Sequence, residues 1–443
     1  MKRMCHKDSK QPQKPFYHLL CNMNRKTIIL MLLLCCQQAF AQPVLMEVLK
    51  PNRDKLFRNI VRNTINSNLS LPLTDSTEDK WEDAFRAIEM LYYRSPWIDK
   101  KINLAFNDLP NRSATFQRAL LEVGYAVYPG TFNAQAGLLL QQTTEAKIFA
   151  MCATYLLKTD STQSFKNSVY KMATDKLSED AGNPILEQLI YQVVNAGKPT
   201  ITPSVHTFLQ NKYLNGHVLV ISFQRTNRNY PGLALVRDAK GNFIKDDAGN
   251  IFSVPQLARS ISALPGYLTN GNTPEGIFRM YGFDHSKSIF IGPTTNIQLS
   301  MPFENKASHF FDNAAISDDD WSINRYKSLL PENFRNHYPA LQSYFAGMAG
   351  RTEIIAHGTT VDPAYYKGKS YYPLTPTQGC LCTKEIWDES NGKLLESDQQ
   401  KLADAVSKAG GPYGYAIVIN LDDSQQNVTM EDILPFLKLA GRL

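Results

Sequence analysis

Val218-Leu219-Val220-Ile221-Ser222-Phe223, followed after a turn by Leu233-Ala234-Leu235-Val236, is the stretch on which the fold turns. Short apolar runs bounded by turn residues read as buried strands rather than helices. Asp238-Ala239-Lys240-Gly241-Asn242 and Asp247-Ala248-Gly249-Asn250 come next as hairpin-type turn signals. Downstream, Ile289–Ile291, Asn296–Met301, Thr352–Ala356 and Tyr415–Asn420 are further candidate strands. A polar, partly helical insertion over 303–350 interrupts them, and Lys393–Lys408 reads as a helix leading into the last strand.

Upstream of Lys198-Pro199 the texture is helical. Asp75-Ser76-Thr77 followed by Asp79 reads as a capped start, after which Trp81, Phe85, Ile88 and Leu91 recur at helical spacing. A helix opening at Thr144 carries Ile148, Cys152, Tyr155 and Leu156 on one side. Breaks at Ser95-Pro96, Pro110-Asn111 and Pro129-Gly130 divide Val44–Ala196 into six or seven helices, with no repeat at a fixed period. The expected fold class is therefore α+β: an all-helical domain over 42–200, then a mostly β domain over 205–423 with helical insertions. A helical tail over 424–443 follows.

The chain has 443 residues, 43% apolar and 20% charged, enough for two or three domains. Twenty-two Phe and 21 Tyr supply too much burial for a disordered chain. The formal charge of +6 is confined to one end. The first 41 residues hold seven Lys or Arg against Asp8 alone. Removing them takes 47 basic residues to 40 and 41 acidic residues to 40. A neutral remainder carries no nucleic-acid footprint.

Residues 1–41 read as an export signal: basic Asn24-Arg25-Lys26, apolar Ile28–Cys36, and small residues at Ala39-Phe40-Ala41 before a cleavage point at Gln42. Met23 is the more ordinary start, which leaves 1–22 as an upstream extension. Cys35 and Cys36 invite a lipoprotein reading, but Leu34 stands where lipidation wants a small residue. No later stretch approaches the roughly 20 residues of a membrane span, so no transmembrane anchor is expected. The expected location is the periplasm or cell envelope.

Removal of the signal leaves Cys152, Cys380 and Cys382. Three thiols in an oxidising compartment cannot all pair, so one is buried and inert or kept for reactivity. Cys152, on an apolar helix face, reads as a small buried residue. Cys380 lies in Thr377-Gln378-Gly379-Cys380-Leu381-Cys382, and His357 in His357-Gly358-Thr359 at the end of a candidate strand. A cysteine after a glycine in a tight loop can expose its sulfur. A histidine can take its proton, and backbone N–H groups can meet an oxyanion. Other readings of these residues are a structural Cys380 or a zinc site, the latter short of usual ligand spacing and lacking a fourth ligand. Ser168-Val169-Tyr170-Lys171 matches a penicillin-binding serine motif, but no Lys-Thr-Gly partner exists.

Histidine before cysteine, with His-Gly-Thr and Thr-x-Gly-Cys, resembles the L,D-transpeptidase (YkuD-like) family. Thr273-Pro274-Glu275-Gly276-Ile277-Phe278 is similar to that family's Thr-Pro-x-Gly-x-Phe segment. Ile297–Pro302 resembles the strand that follows, and Gly368 falls where a family glycine often stands. The resemblance covers about 210–422. It implies Cys380 as nucleophile, His357 as base, the Gly358 carbonyl as orienter of the imidazole, and N–H groups of Gly379 and Cys380 as oxyanion hole. It implies Thr377, Gln378 and Tyr372 as substrate contacts, peptidoglycan stem peptides as partners, carbapenems as acylating inhibitors, and no metal or organic cofactor. If His357 activates Cys380, the thiolate should persist below the ordinary thiol pKa of about 8.5. Two positions depart from the pattern: Gln378 replaces a histidine, and Cys382 replaces an arginine or asparagine. The loop between base and nucleophile is longer than common and carries Tyr365, Tyr366, Tyr371 and Tyr372, which either pack it or touch substrate. Resolution of the thioester by amine (transpeptidase) or water (L,D-carboxypeptidase) stays open, as does a wall-binding scaffold without catalysis. Protein partners and the helical domain's role are not legible.

Overall fold

The computed structural model describes residues 43–198 and 201–442. The expected export signal lies outside the described residues. No helix among those described is long and apolar enough to cross a membrane.

The chain is mixed α+β. Its helical part comprises α1 (Lys50–Asn59), α2 (Ser67–Ser70), α3 (Glu78–Leu91), α4 (Pro96–Asn107), α5 (Ala114–Val127), α6 (Asn133–Gln142), α7 (Ala146–Leu157), α8 (Gln163–Glu179) and α9 (Pro184–Asn195). A π-helical segment, Ile60–Asn66, joins α1 to α2. Counting 50–70 as one helix gives eight among the described residues, one more than the breaks in the sequence indicate. The capping box is Thr74 with Thr77, and it caps the 3-10 turn Asp75–Thr77 that leads into α3. Trp81, Phe85, Ile88 and Leu91 are buried in the helical core, as is Cys152.

Eight strands close a barrel in the order β1-β10-β4-β5-β6-β7-β3-β2. The strands are β1 (Val218–Gln224), β2 (Gly232–Arg237), β3 (Ser253–Leu257), β4 (Gly276–His285), β5 (Thr295–Ser300), β6 (Ile355–His357), β7 (Leu381–Thr383) and β10 (Tyr413–Asn420). β8 (Glu385–Trp387) and β9 (Leu394–Ser397) form a separate hairpin. One face of all eight barrel strands, including Val218, Phe278, Ala356 and Leu381, gathers with Leu402 and Val406 into one core. The opposite face of β1, β4 and β10 is covered by residues of the 303–350 insertion and by Val428, Ile433 and Leu437.

Two expectations need correction. Ile289–Ile291 is a turn, not a strand. Residues 394–397 are β9, so the helix begins only at Asp398, capped by Ser397. The expected C-terminal helical segment is the helix Met430–Leu439, which is packed into the barrel-side core, with Arg225 reaching Asp422 and Asp432 at 2.9 and 2.8 Å. The described residues from Leu45 onward form one compact unit. Leu264, Tyr267 and Leu268 from the barrel side share the core of the helical part. Tyr366, on the loop between β6 and β7, donates to the Met90 carbonyl of α3 at 2.9 Å.

Candidate active site

β6 and β7 are only three residues each, and their parallel pairing sets Ala356 opposite Leu381 and His357 opposite Cys382. Neighbouring strands lie about 4.8 Å apart. In that parallel register Cys380, the residue before β7, stands beside Ile355, two positions ahead of His357 on the same face of the strand pair, although 23 positions separate His357 from Cys380 in the sequence.

The loop that presents Cys380 is folded by Thr377. Its hydroxyl accepts from the Gly379 N–H at 3.0 Å and donates to the Cys380 carbonyl at 3.0 Å. Gly379 has φ +113°, and a Cβ there would overlap the Arg351 guanidinium and the Gly271 carbonyl. Only glycine suits both conditions. Thr273, from the segment that begins β4, donates to the Gly379 carbonyl at 2.8 Å. Two of the three motifs quoted from the sequence thus brace each other. The Gly379 N–H is committed to Thr377 and is no free oxyanion donor. Of the expected pair, the Cys380 N–H remains.

His357 is buried, and its Nδ1 lies 2.5 Å from the Gly358 carbonyl. With the proton on Nδ1 donated there, Nε2 keeps its lone pair. Gly358 is pressed against the Glu385 carboxyl, which a Cβ would overlap. That carboxyl accepts from the Thr359 N–H at 2.9 Å and from the Ser397 hydroxyl at 2.7 Å. Burial raises its pKa to about 7 against these donors.

Burial also raises the Cys380 thiol above its ordinary value, opposed by Ile355 and by the Arg351 charge. It lowers the His357 imidazole, opposed by the Gly358 carbonyl. Both shifts favour neutral forms. Both directions run against the expected resting thiolate, and the described hydrogen bond of the Cys380 thiol goes to the Glu353 carbonyl at 3.6 Å. Arg351, fully enclosed, donates to the carbonyls of Gly266, Gly271 and Asn272. A guanidinium thus acts on Cys380, but from before β6 rather than from position 382.

Cys380 is half-buried and, with His357, Thr377 and the exposed Gln378, lines a cavity of about 460 Å³. Tyr372 is exposed and not on that wall, and Tyr366 is. The expected Tyr372 contact has no counterpart, because Tyr366 and Tyr371 turn inward to pack with Leu257 and Leu374. Cys382 is buried off the cavity, with its thiol raised to about 12 by burial. No disulfide joins the three described cysteines. Ser168 and Lys171 are exposed on α8, away from this site.

Sequence reasoning missed Arg351 and Glu385, which lie outside every motif. It also missed Glu89, which lines the same cavity from α3. A signal for Glu89 existed: it stands four residues after Phe85 and eight after Trp81, on the buried stripe of the helix.

No family model, no curated protein and no solved structure matches this chain.

Proposed function

We propose that the protein is an exported cysteine acyltransferase, an L,D-transpeptidase acting on peptidoglycan stem peptides. The observation that carries this reading is a half-buried Cys380 thiol and a His357 imidazole on one cavity wall, with His357 Nδ1 held by the Gly358 carbonyl. Export rests on the sequence of residues 1–41.

A thiol and an imidazole both shifted toward neutral define the proton path. As the sulfur attacks the carbonyl of an L-residue, its proton passes to His357 Nε2. The Cys380 N–H faces the growing oxyanion. Collapse breaks the amide, and the imidazolium returns the proton to the departing D-amino acid. An amine from a second stem then loses a proton to Nε2 as it attacks the thioester, and the new amide releases the thiol.

The test is product analysis on isolated muropeptides. The expected result is a cross-linked product with loss of the terminal D-residue, absent with Cys380→Ala. Hydrolysed monomers alone would make the protein a carboxypeptidase. Unchanged muropeptides with folded protein would reject acyl transfer.

A further inference from the structure

The cavity has a second wall, built by the helical part. Ile60 and Thr64 come from the π-helical segment, and Arg86, Ala87, Glu89 and Met90 from α3. π-Helical turns recur at functional sites because they re-aim side chains that a regular helix would turn away. Glu89 is the one carboxylate among the described lining residues, and it is 6% exposed. No hydrogen bond and no ion pair to its side chain occurs among the described residues.

A carboxyl enclosed without a partner is costly, and more so when charged. Neither nearby guanidinium makes an ion pair or hydrogen bond with it. Arg86 is held by Glu82 and Asp83, each at 3.0 Å. Arg259 acts on Glu89 only at a distance, with its own N–H groups on Asn229 and on the Ser260 carbonyl at 2.7 Å. Burial, and then the neighbouring Glu122, push the Glu89 carboxyl well above its usual range. The walls beside it are apolar: Ile60, Ala87, Met90, Ile261, Phe290 and Ile291. A carboxyl at an apolar wall matches a ligand with a methylene stem and a cationic tip. The methylenes bury against the aliphatic side chains while the charge meets its partner.

We propose that Glu89 is the recognition site for an alkylammonium side chain of the acyl donor, borne by the residue whose carbonyl Cys380 attacks. The helical part then supplies substrate selection to a nucleophile supplied by the barrel. This rests on the acyl-transfer reading of Cys380.

The test separates the two. Nα-acetyl-L-lysyl-D-alanine, its Nε-acetyl form and the norleucyl analogue are titrated calorimetrically into full-length Cys380→Ala protein. The expected result is at least about tenfold tighter binding of the lysyl peptide, with Glu89→Gln in the same background bringing the three affinities together. Equal affinities, no binding of any peptide, or a preference that survives Glu89→Gln would overturn the proposal. Thermal melts of both variants check folding. The same peptides with intact Cys380 are followed by D-alanine release. A Glu89-dependent binding preference without release would sink acyl transfer and leave the site standing. Release without preference would do the reverse.

Discussion

Cys380 and His357 are both shifted toward their neutral forms, so reactivity toward a simple alkylating agent and reactivity toward a bound acyl donor should separate. Burial raises the thiol and lowers the imidazole. Iodoacetamide needs a standing thiolate, whereas acyl transfer needs only a base in place during attack. Iodoacetamide should therefore modify Cys380 slowly at pH 7, with a rate that climbs above pH 9 and changes little in His357→Ala. Acylation by a carbapenem, read as an intact-mass adduct, should fall about 100-fold or more in the same variant. A fast, His357-dependent alkylation at pH 7 would instead demonstrate a resting thiolate pair. Glu385 acts one step further out. It holds the Thr359 N–H and backs Gly358, whose carbonyl fixes the imidazole. Glu385→Gln keeps an oxygen for that N–H and should retain most acylation. Glu385→Ala leaves the N–H unpaired and should lose about tenfold or more, comparable to the roughly 1–3 kcal/mol of an unmet buried group. Equal rates in the two variants would remove Glu385 as a positioning residue.

At the scale of elements, the loop before β7 is a device of three parts: the Thr377 hydroxyl, the Gly379 backbone and the Arg351 guanidinium beneath it. Thr377→Val removes both hydroxyl hydrogen bonds at nearly constant shape and should cost about 1–3 kcal/mol in stability, measured by urea unfolding. Carbapenem acylation should slow alongside. Gly379→Ala should be worse, combining a strained φ of roughly 1–3 kcal/mol with overlap onto Arg351. A melt unchanged in both variants would show that the loop holds its shape without them. The history of this element in the sequence is instructive. His357, Gly358, Thr377, Gly379 and Cys380 are legible because local chemistry dictates them: a glycine where the chain must bend, a hydroxyl two residues before it. β1, β2, β5 and β10 are legible as apolar runs. β6 is legible as part of the run Thr352–Ala356, though the strand itself is Ile355–His357; β3 and β7 are five and three residues long, and their pairing comes from barrel closure, which leaves no periodicity to read. Arg351, Glu385 and Glu89 reach the site through tertiary packing alone. Phe290 and Ile291 mimic a strand because they are apolar, yet their hydrophobicity serves the cavity wall.

Across the whole molecule, helical part and barrel form one unit, and buried carboxyls occur in both. Glu122, Glu275 and Glu385 are each raised to about 7, all chiefly by burial, and Glu89 is raised well above its ordinary value by the same cause. In the unfolded chain these carboxyls titrate near 4.3. A raised acid gives a contribution that is complete below about pH 4.3 and is lost as pH rises through its folded value near 7. Buried histidines run the other way. His337 is lowered to about 4 and His357 is lowered too, so their contribution is complete above about 6.5 and is lost on acidification. The two sets oppose each other between about pH 4.3 and 6.5, whereas above 6.5 only the carboxyls still change. Stability should therefore fall from about pH 6.5 to 8, seen as a lower Tm and an earlier urea midpoint. Glu275 gives the check: it is fully enclosed, Arg228 only partly offsets its burial, and His337 Nε2 stands 3.8 Å from its carboxyl, so the two are read together. Glu275→Gln removes the ionisable group while keeping its shape. It should flatten that slope and stabilise the protein at pH 8 relative to pH 5 by up to about 3 kcal/mol, the free energy of a shift of two to three pKa units. A slope identical to that of the unmodified protein would mean that Glu275 ionises freely, through water reaching the base of β4.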